Sequence, residues 1–316
     1  MSLPVGELLE EKNAGYLGID VVAGEKGLAR TITTPRIQKP GLLLTGMLDE
    51  ELHQDRIQIF GAAEVGYINN LCNVNIEEEL WILDGLVFPA IIVTRGLKPP
   101  EILIKICRDR DIPLFVSRFT SSVLIDRLTK FLEEKLAPSI TLHGVLLDVL
   151  GVGVFIIGKS GIGKSECALD LVARGYRLVS DDVVIVKKMP PGLLFGTSSD
   201  IIRYHMEIRG LGIVNIKDLY GITAIRETKQ MDVVVELVSW ESDSEYERLG
   251  FDENTHEILG VELPYMKVPV SSGRSVATIV EVAARNQILK IMGHNSARTL
   301  ELHLDNAMKG LKGRPD

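Results

Sequence analysis

Cysteine is scarce in this chain of 316 residues. Cys72, Cys107 and Cys167 stand far apart, odd in number and without a C-x-x-C spacing. Neither a zinc site nor a disulfide framework is expected, and the thiols read as reduced, in a cytoplasmic protein. A long apolar run is missing as well. The longest, Gly144 to Gly158, is interrupted by Asp148 and falls short of the roughly 20 residues that a spanning helix needs. The first 13 residues carry Glu7, Glu10 and Glu11 and lack a basic stretch followed by an apolar one, so they do not read as a signal peptide. Positive charge is in deficit: 35 Lys and Arg stand against 43 Asp and Glu, a net charge of −8. With no cationic excess to displace counterions from phosphates, neither nucleic acid nor an anionic membrane is an expected general partner. A local basic patch stays open. No repeat or low-complexity tract is present, and the composition excludes a disordered chain, a collagen-like repeat and a pure coiled coil.

What is there is an alternation of elements. At about 150 residues per domain the length suggests two domains. Val5–Lys12 reads as a short helix. Ile19–Ala23, Arg30–Thr34, Arg56–Phe60 and Ala90–Thr94 read as strands, the last a continuous apolar run of the kind buried on both faces. A helix opens at Pro99 and Pro100 and runs to Arg110, with Ile102, Leu103, Ile106 and Cys107 as its stripe. Leu114–Val116 is the next strand. Ser121–Leu136 is a helix with Leu124, Leu128 and Leu132 on one face. Strands alternating with helices predict a parallel sheet, and hence an α/β fold. Ala137, Pro138 and Ser139 break the pattern, which sets an N-terminal α/β domain at 1–136 and a second domain at 137–316. The second part opens with a strand over Thr141–Leu150. Further strands follow at Gly153–Ile157, Leu178–Val179, Val183–Val186 and Val233–Val238. A last helix is expected from Asn295 through Leu300, Leu304 and Met308 to Gly310.

The strongest single signal is Gly158-Lys159-Ser160-Gly161-Ile162-Gly163-Lys164-Ser165, which fits the phosphate-binding pattern G-x-x-x-x-G-K-[ST]. An apolar strand precedes it, and a helix over Glu166–Arg174 follows, with Ala168, Leu169 and Val172 on one face. The three glycines can take positive φ, so that backbone amides gather around phosphate oxygens at a helix N-terminus. Lys164 can reach the β- and γ-phosphates of a nucleotide, and the Ser165 hydroxyl can ligate Mg²⁺. A tight turn that binds nothing would need neither side chain. One helix further on, Asp181 and Asp182 close a short apolar strand, where open α/β sheets present ligand-binding groups. Alone they would be turn formers. Beside this loop they suggest transfer of a phosphoryl group to a hydroxyl, with an aspartate as base.

Other residues stay open on their own chemistry. His143 is a lone histidine at a strand start, usually packed or on the surface. Glu207 to Gly212 (EIRGLG) is evenly balanced between a hairpin turned on Gly210 and Gly212 and a functional loop with Arg209. Pro269 to Arg274, with Ser271, Ser272 and Gly273, is a small polar loop, and Arg248 passes for a surface residue.

Gly158 to Ser165, the Asp181–Asp182 pair and above all Met206 to Asn215 (MEIRGLGIVN) closely resemble the bifunctional HPr kinase/phosphorylases of bacteria. The likeness extends to Ile91–Gly96 and Leu142–Val145. It implies a P-loop kinase domain like the nucleotide-binding core of phosphoenolpyruvate carboxykinase. It also implies phosphorylation of a serine on HPr, a carrier of the sugar phosphotransferase system, with ATP or pyrophosphate, and phosphorolysis of the product by inorganic phosphate. Carried over residue by residue, Asp182 would be base and proton donor, and Lys164 would hold the transferred group. His143 and Arg248 would be active-site residues, Ser165 and Glu207 Mg²⁺ ligands. Pro269 to Arg274 would serve mainly dephosphorylation. A cytoplasmic homohexamer is implied. Ser271 and Ser272 stand where many members have an Arg and a Pro, so one cationic phosphate contact is missing. Two alternatives remain, a nucleotide-sensing regulator that catalyses nothing and a phosphotransferase closer to phosphoenolpyruvate carboxykinase.

Overall fold

The computed structural model describes residues 2–45, 52–71, 87–240, 254–271, 273–294 and 298–299. It forms two compact units, Met1–Ala137 and Pro138–Asp316.

The first unit is built on a five-stranded sheet. Its order is Ile19–Ala23, Leu114–Ser117, Ile91–Val93, Ile57–Phe60, Ile37–Gln38. The last four are parallel and the first is antiparallel to its neighbour. The expected parallel sheet is therefore present, with one antiparallel edge. Apolar layers cover both faces, which explains the unbroken run at Ile91–Val93. The helix Ser121–Lys135 buries Leu124, Leu128 and Leu132, the stripe expected from spacing. The helix Glu101–Asp109 buries Leu103, Ile104 and Cys107, one position off the expected stripe.

Two readings here need correction. Val5–Lys12 is not one helix. A 3₁₀ turn spans Val5–Leu9, and an α-helix starts at Glu11 and runs to Leu17, with extended Glu10 between them. Val5 and Leu8 are the residues the turn buries, three apart, and that spacing lines up on one face of a 3₁₀ turn. Of Arg30–Thr34 only Thr31–Ile32 pairs, with Leu3–Pro4.

The second unit has two main sheets. One has six strands in the order Arg177–Ser180, Val145–Val149, Val152–Gly158, Val233–Ser239, Val261–Val270, Thr255–Ile258. The other has four: Thr228–Gln230, Leu193–Thr197, Val183–Met189, Ser139–His143. Leu146, Phe155, Val179, Val184, Val186, Leu194 and Val234 pack between them. The other face of the larger sheet is covered by the helices Lys164–Ala173 and Val276–Ile291, through Cys167, Ala168, Leu171, Val172, Val280 and Ala284.

The expected strand Thr141–Leu150 is in fact two, one in each sheet. The chain changes sheet at Gly144. A Cβ there would stand 2.6 Å from the Phe155 ring and 2.7 Å from the Ile156 carbonyl, so only glycine passes. The crossing leaves His143 opposite Val183 at the end of its strand.

Direction decides what stands at the sheet's edge. Val152–Gly158 is parallel to Val233–Ser239, which is parallel to Val261–Val270. Arg177–Ser180 reaches the same direction through two antiparallel pairings with Val145–Val149 between. The carboxyl ends of four strands therefore share one edge: Gly158, Asp181, Trp240 and Ser271 follow or close them. Of the helix expected after Asn295, only Arg298 and Thr299 are described, both helical; Leu300, Leu304, Met308 and Gly310 lie outside the described residues, as does Cys72.

Candidate active site

Gly158, Gly161 and Gly163 take φ of 146°, 80° and 103°, the left-handed values the loop requires. Each is a position where a side chain would be strained. At Gly158 it would also collide with the Leu237 carbonyl, 2.6 Å from where a Cβ would stand, and at Gly161 it would displace the Arg209 guanidinium, 2.8 Å away. Gly163 caps the helix Lys164–Ala173, whose first-turn amides face the loop. Lys164 Nζ donates to the carbonyls of Gly158 at 3.0 Å and Lys159 at 3.2 Å, which holds the ammonium over the loop. Lys159 itself is exposed.

The two aspartates have separate environments. Asp181 is only 5% exposed. The Ser165 hydroxyl donates to its two oxygens at 2.9 and 3.1 Å, and the Glu207 amide to one of them at 3.4 Å. Burial pushes its carboxyl above the usual range, the Ser165 and Glu207 hydrogen bonds pull it back, and the neighbouring Asp182 charge pushes it up again. Asp182 faces solvent. Its side chain is 77% exposed, and His143 Nδ1 is 3.9 Å from its carboxylate. Asp182 sits at φ 64°, and its carbonyl accepts from the Gly144 amide at 3.0 Å. A non-glycine residue in this region carries strain, here fixed by the pairing of the His143 and Val183 strands.

The Glu207–Gly212 segment is the hairpin its glycines allow, and it lies against the glycine loop. His205–Ile208 and Gly212–Asn215 form a hairpin with Gly210 and Gly212 at positive φ. Met206 is buried among Cys167, Ala168 and Leu171, which seats the hairpin on the helix that follows the glycine loop. That seating brings the Glu207 amide to Asp181 and Arg209 to Gly161. The Glu207 side chain is exposed.

Pro269 lies opposite Val238, one pair before Ser239 and Val270 end the pairing of Val233–Ser239 with Val261–Val270. Beyond it, Gly273 takes φ 86° and the Arg274 guanidinium lies 5.9 Å from the Trp240 ring centre. Sequence reasoning passed over Trp240, although it follows the apolar strand beside the one leading into the glycine loop. It also passed over the Ser165–Asp181 bond, which two adjacent aspartates do not announce. Arg248 and Ser272 lie outside the described residues. Among those described, no group of three His, Cys, Asp or Glu is gathered tightly enough to hold a metal alone, and no helix is long and apolar enough to cross a membrane.

A mixed α/β chain with a glycine loop between a central strand and its helix, and carboxylates at the next strand end, defines a protein built to handle a phosphate group. Comparison with known proteins narrows this. Residues 3–132 match the HPr Serine kinase N terminus and residues 134–304 the HPr Serine kinase C-terminal domain, and the chain belongs to this family. It is similar to an HPr kinase/phosphorylase of Geobacter sulfurreducens, 50% identical over 94% of this chain and 93% of that one. It is similar also to an HPr kinase/phosphorylase of Leptospira biflexa, 42% identical over 89% of this chain and 88% of that one. A solved Hpr(Ser) kinase/phosphatase from Coxiella burnetii is 30% identical, covering 51% of this chain and 98% of its own, with a TM-score of 0.46.

Proposed function

We propose that the protein transfers a phosphoryl group from ATP or pyrophosphate to a serine of HPr, and removes it by phosphorolysis with inorganic phosphate. The observation that carries this reading is the division of labour between adjacent carboxylates: Asp181 is buried on Ser165 of the glycine loop, while Asp182 stands exposed beside His143.

In the forward direction the loop amides from Gly158 to Ser165 hold the polyphosphate. Lys164 neutralises charge on the transferred group, and Asp182 takes the proton of the attacking serine hydroxyl. His143 stands beside that carboxylate and orients it. In reverse, an oxygen of inorganic phosphate attacks the phosphorus of phosphoserine, the bond from that phosphorus to the serine oxygen breaks as pyrophosphate forms, and Asp182 gives its proton to the departing serine oxygen. Arg209, across Gly161, adds positive charge over the loop.

Ser165 and Asp181, with Glu207 on the adjoining hairpin, offer hard oxygen donors, a set that suits Mg²⁺, which binds few protein ligands and completes its shell with phosphate and water. Bound there, Mg²⁺ would supply countercharge to the phosphates. The unit from 137 onward is the proposed catalytic domain, with a core of the phosphoenolpyruvate carboxykinase kind, and 1–136 the N-terminal domain. Arg248, Pro269, Gly273 and Arg274 are proposed further site residues, and a cytoplasmic homohexamer is the proposed assembly.

The test is incubation of the protein with HPr, Mg²⁺ and labelled ATP, followed by phosphoserine analysis. Label on a serine of HPr is the expected result. ATP binding without label on HPr, under any concentration of phosphate or pyrophosphate, would leave a nucleotide-sensing regulator instead.

A further inference from the structure

The helix that follows the glycine loop ends in a side chain that reaches the loop on the far side of the site. Arg174 is the C-cap of Lys164–Ala173, and its amide bonds the carbonyls of Asp170 and Leu171. Its backbone therefore moves with Lys164 and Ser165. Its guanidinium makes three bonds to the helix Val276–Ile291: to Ser275 Oγ at 3.1 Å, Thr278 Oγ1 at 3.0 Å and Glu281 Oε2 at 3.2 Å. Glu281 is fixed in turn by Arg285 at 2.8 Å, and Arg285, Tyr176 and Arg174 together hold its carboxyl below the usual range.

Ser275 is the hinge of this arrangement. It caps the helix Val276–Ile291, accepting from the Thr278 amide at 3.3 Å, and it directly follows Arg274. The Arg274 amide folds back to the Ser271 carbonyl at 3.3 Å, and its guanidinium covers Trp240. Trp240 in turn donates its amide to Val270 at 3.2 Å. The strand before Trp240 places Leu237 opposite Gly158, the first residue of the glycine loop. A closed circuit results: glycine loop, helix, Arg174, Ser275, Arg274, Trp240, and back to the loop.

We propose that Arg174 is a positioning residue that couples the phosphate-binding loop to Arg274 and Trp240, so that an anion held at Gly158–Ser165 changes how Arg274 sits on the indole. The proposal rests on the reading of that loop as a phosphate site. Stability alone does not account for Arg174. It is 35% exposed and its ion-pair partner 20% exposed, and such pairs contribute little to folding. What a guanidinium offers at this place is geometry, because its planar fork fixes two hydroxyls and a carboxylate at once. Coupling of this kind needs an element both sites bias, and in this proposal the helix between Lys164 and Arg174 has that part.

The sequence has two tryptophans, Trp81 and Trp240, so Trp81→Phe makes Trp240 the sole indole reporter. In that background the full chain is titrated with inorganic pyrophosphate, following tryptophan emission and, in parallel, heat of binding. The emission change is expected to saturate together with the heat. Arg174→Met is expected to keep measurable pyrophosphate binding and lose most of the emission change. Arg174→Lys should restore part of it, with melting temperatures within about 4 °C of the parent. An unchanged emission response in Arg174→Met overturns the proposal, and so does a parent that binds pyrophosphate with no emission change. Absence of any binding heat in the parent would instead remove the phosphate-loop reading, and this inference with it.

Discussion

Both units of the chain end parallel strands on one edge, and the two edges are finished differently. In the first unit the edge closes on itself. The Thr94 and Ser121 hydroxyls meet at 2.9 Å, and Glu64, 3% exposed, accepts from the Gly61 amide at 2.9 Å and faces Lys39 at 3.5 Å. In the second unit the corresponding edge carries a glycine loop, an exposed aspartate and an exposed histidine. The architecture that gathers polar groups at strand ends is common to both. What sets the second edge apart is that Asp182 and His143 stay largely exposed there, and those are the groups the proposed function gives to a ligand.

The largest effect that would sharpen this contrast is on the exposed carboxylate. Asp182→Asn keeps the shape of the side chain and removes the proposed base. Both directions of transfer should fall by about 10²- to 10⁴-fold, measured as initial rates on HPr and on its phosphoserine form. The matching change in the first unit is Leu128→Ala, in a fully buried stripe. It should destabilise that unit by about 2–5 kcal/mol in a denaturant titration, with transfer by the intact protein nearly unchanged. Loss of transfer as large as that of Asp182→Asn would erase the proposed division between the units. Gly161→Ala comes next. Its φ of 80° and the Arg209 contact should weaken pyrophosphate binding by about tenfold in calorimetry, with little change in melting temperature.

The smallest effect concerns Asp181. Its folded carboxyl is raised, so the native state binds its proton more tightly than the unfolded chain does. Its cost to stability is therefore absent in acid and accumulates as pH rises through the carboxylate range. Asp181→Asn, in which Ser165 keeps an oxygen to donate to, should gain stability relative to the parent as pH rises from acid to neutral. A difference in melting temperature that is flat with pH would contradict this account of its burial.

Much of the fold is legible in the sequence alone. The periodic stripe of Leu124, Leu128 and Leu132, the apolar run at Ile91–Val93 and the three glycines of the loop carry their structure in local spacing. The break at Gly144 does not, because an apolar stretch from Val145 to Val149 continues the pattern of Ser139–His143, and the Phe155 ring and Ile156 carbonyl that leave no room for a side chain at Gly144 meet it only through tertiary packing. The separation of Asp181 from Asp182 was hidden for a similar reason. Adjacent residues of one type differ only once the positive φ at Asp182 turns one carboxylate out while the Ser165 hydroxyl holds the other in. The EIRGLG segment is evenly balanced between turn and site in the sequence; the structure makes it a hairpin that brings Arg209 to Gly161, and its place in the site is part of the proposed function.

A crystal of the protein soaked with pyrophosphate tests the central claim most directly. An anion held by the amides of Ser160 to Ser165, touching Lys164 and leaving Asp182 and His143 open beside its outer phosphate, is the predicted result. Pyrophosphate bound elsewhere, or Asp182 turned away from it into the protein, would contradict the account.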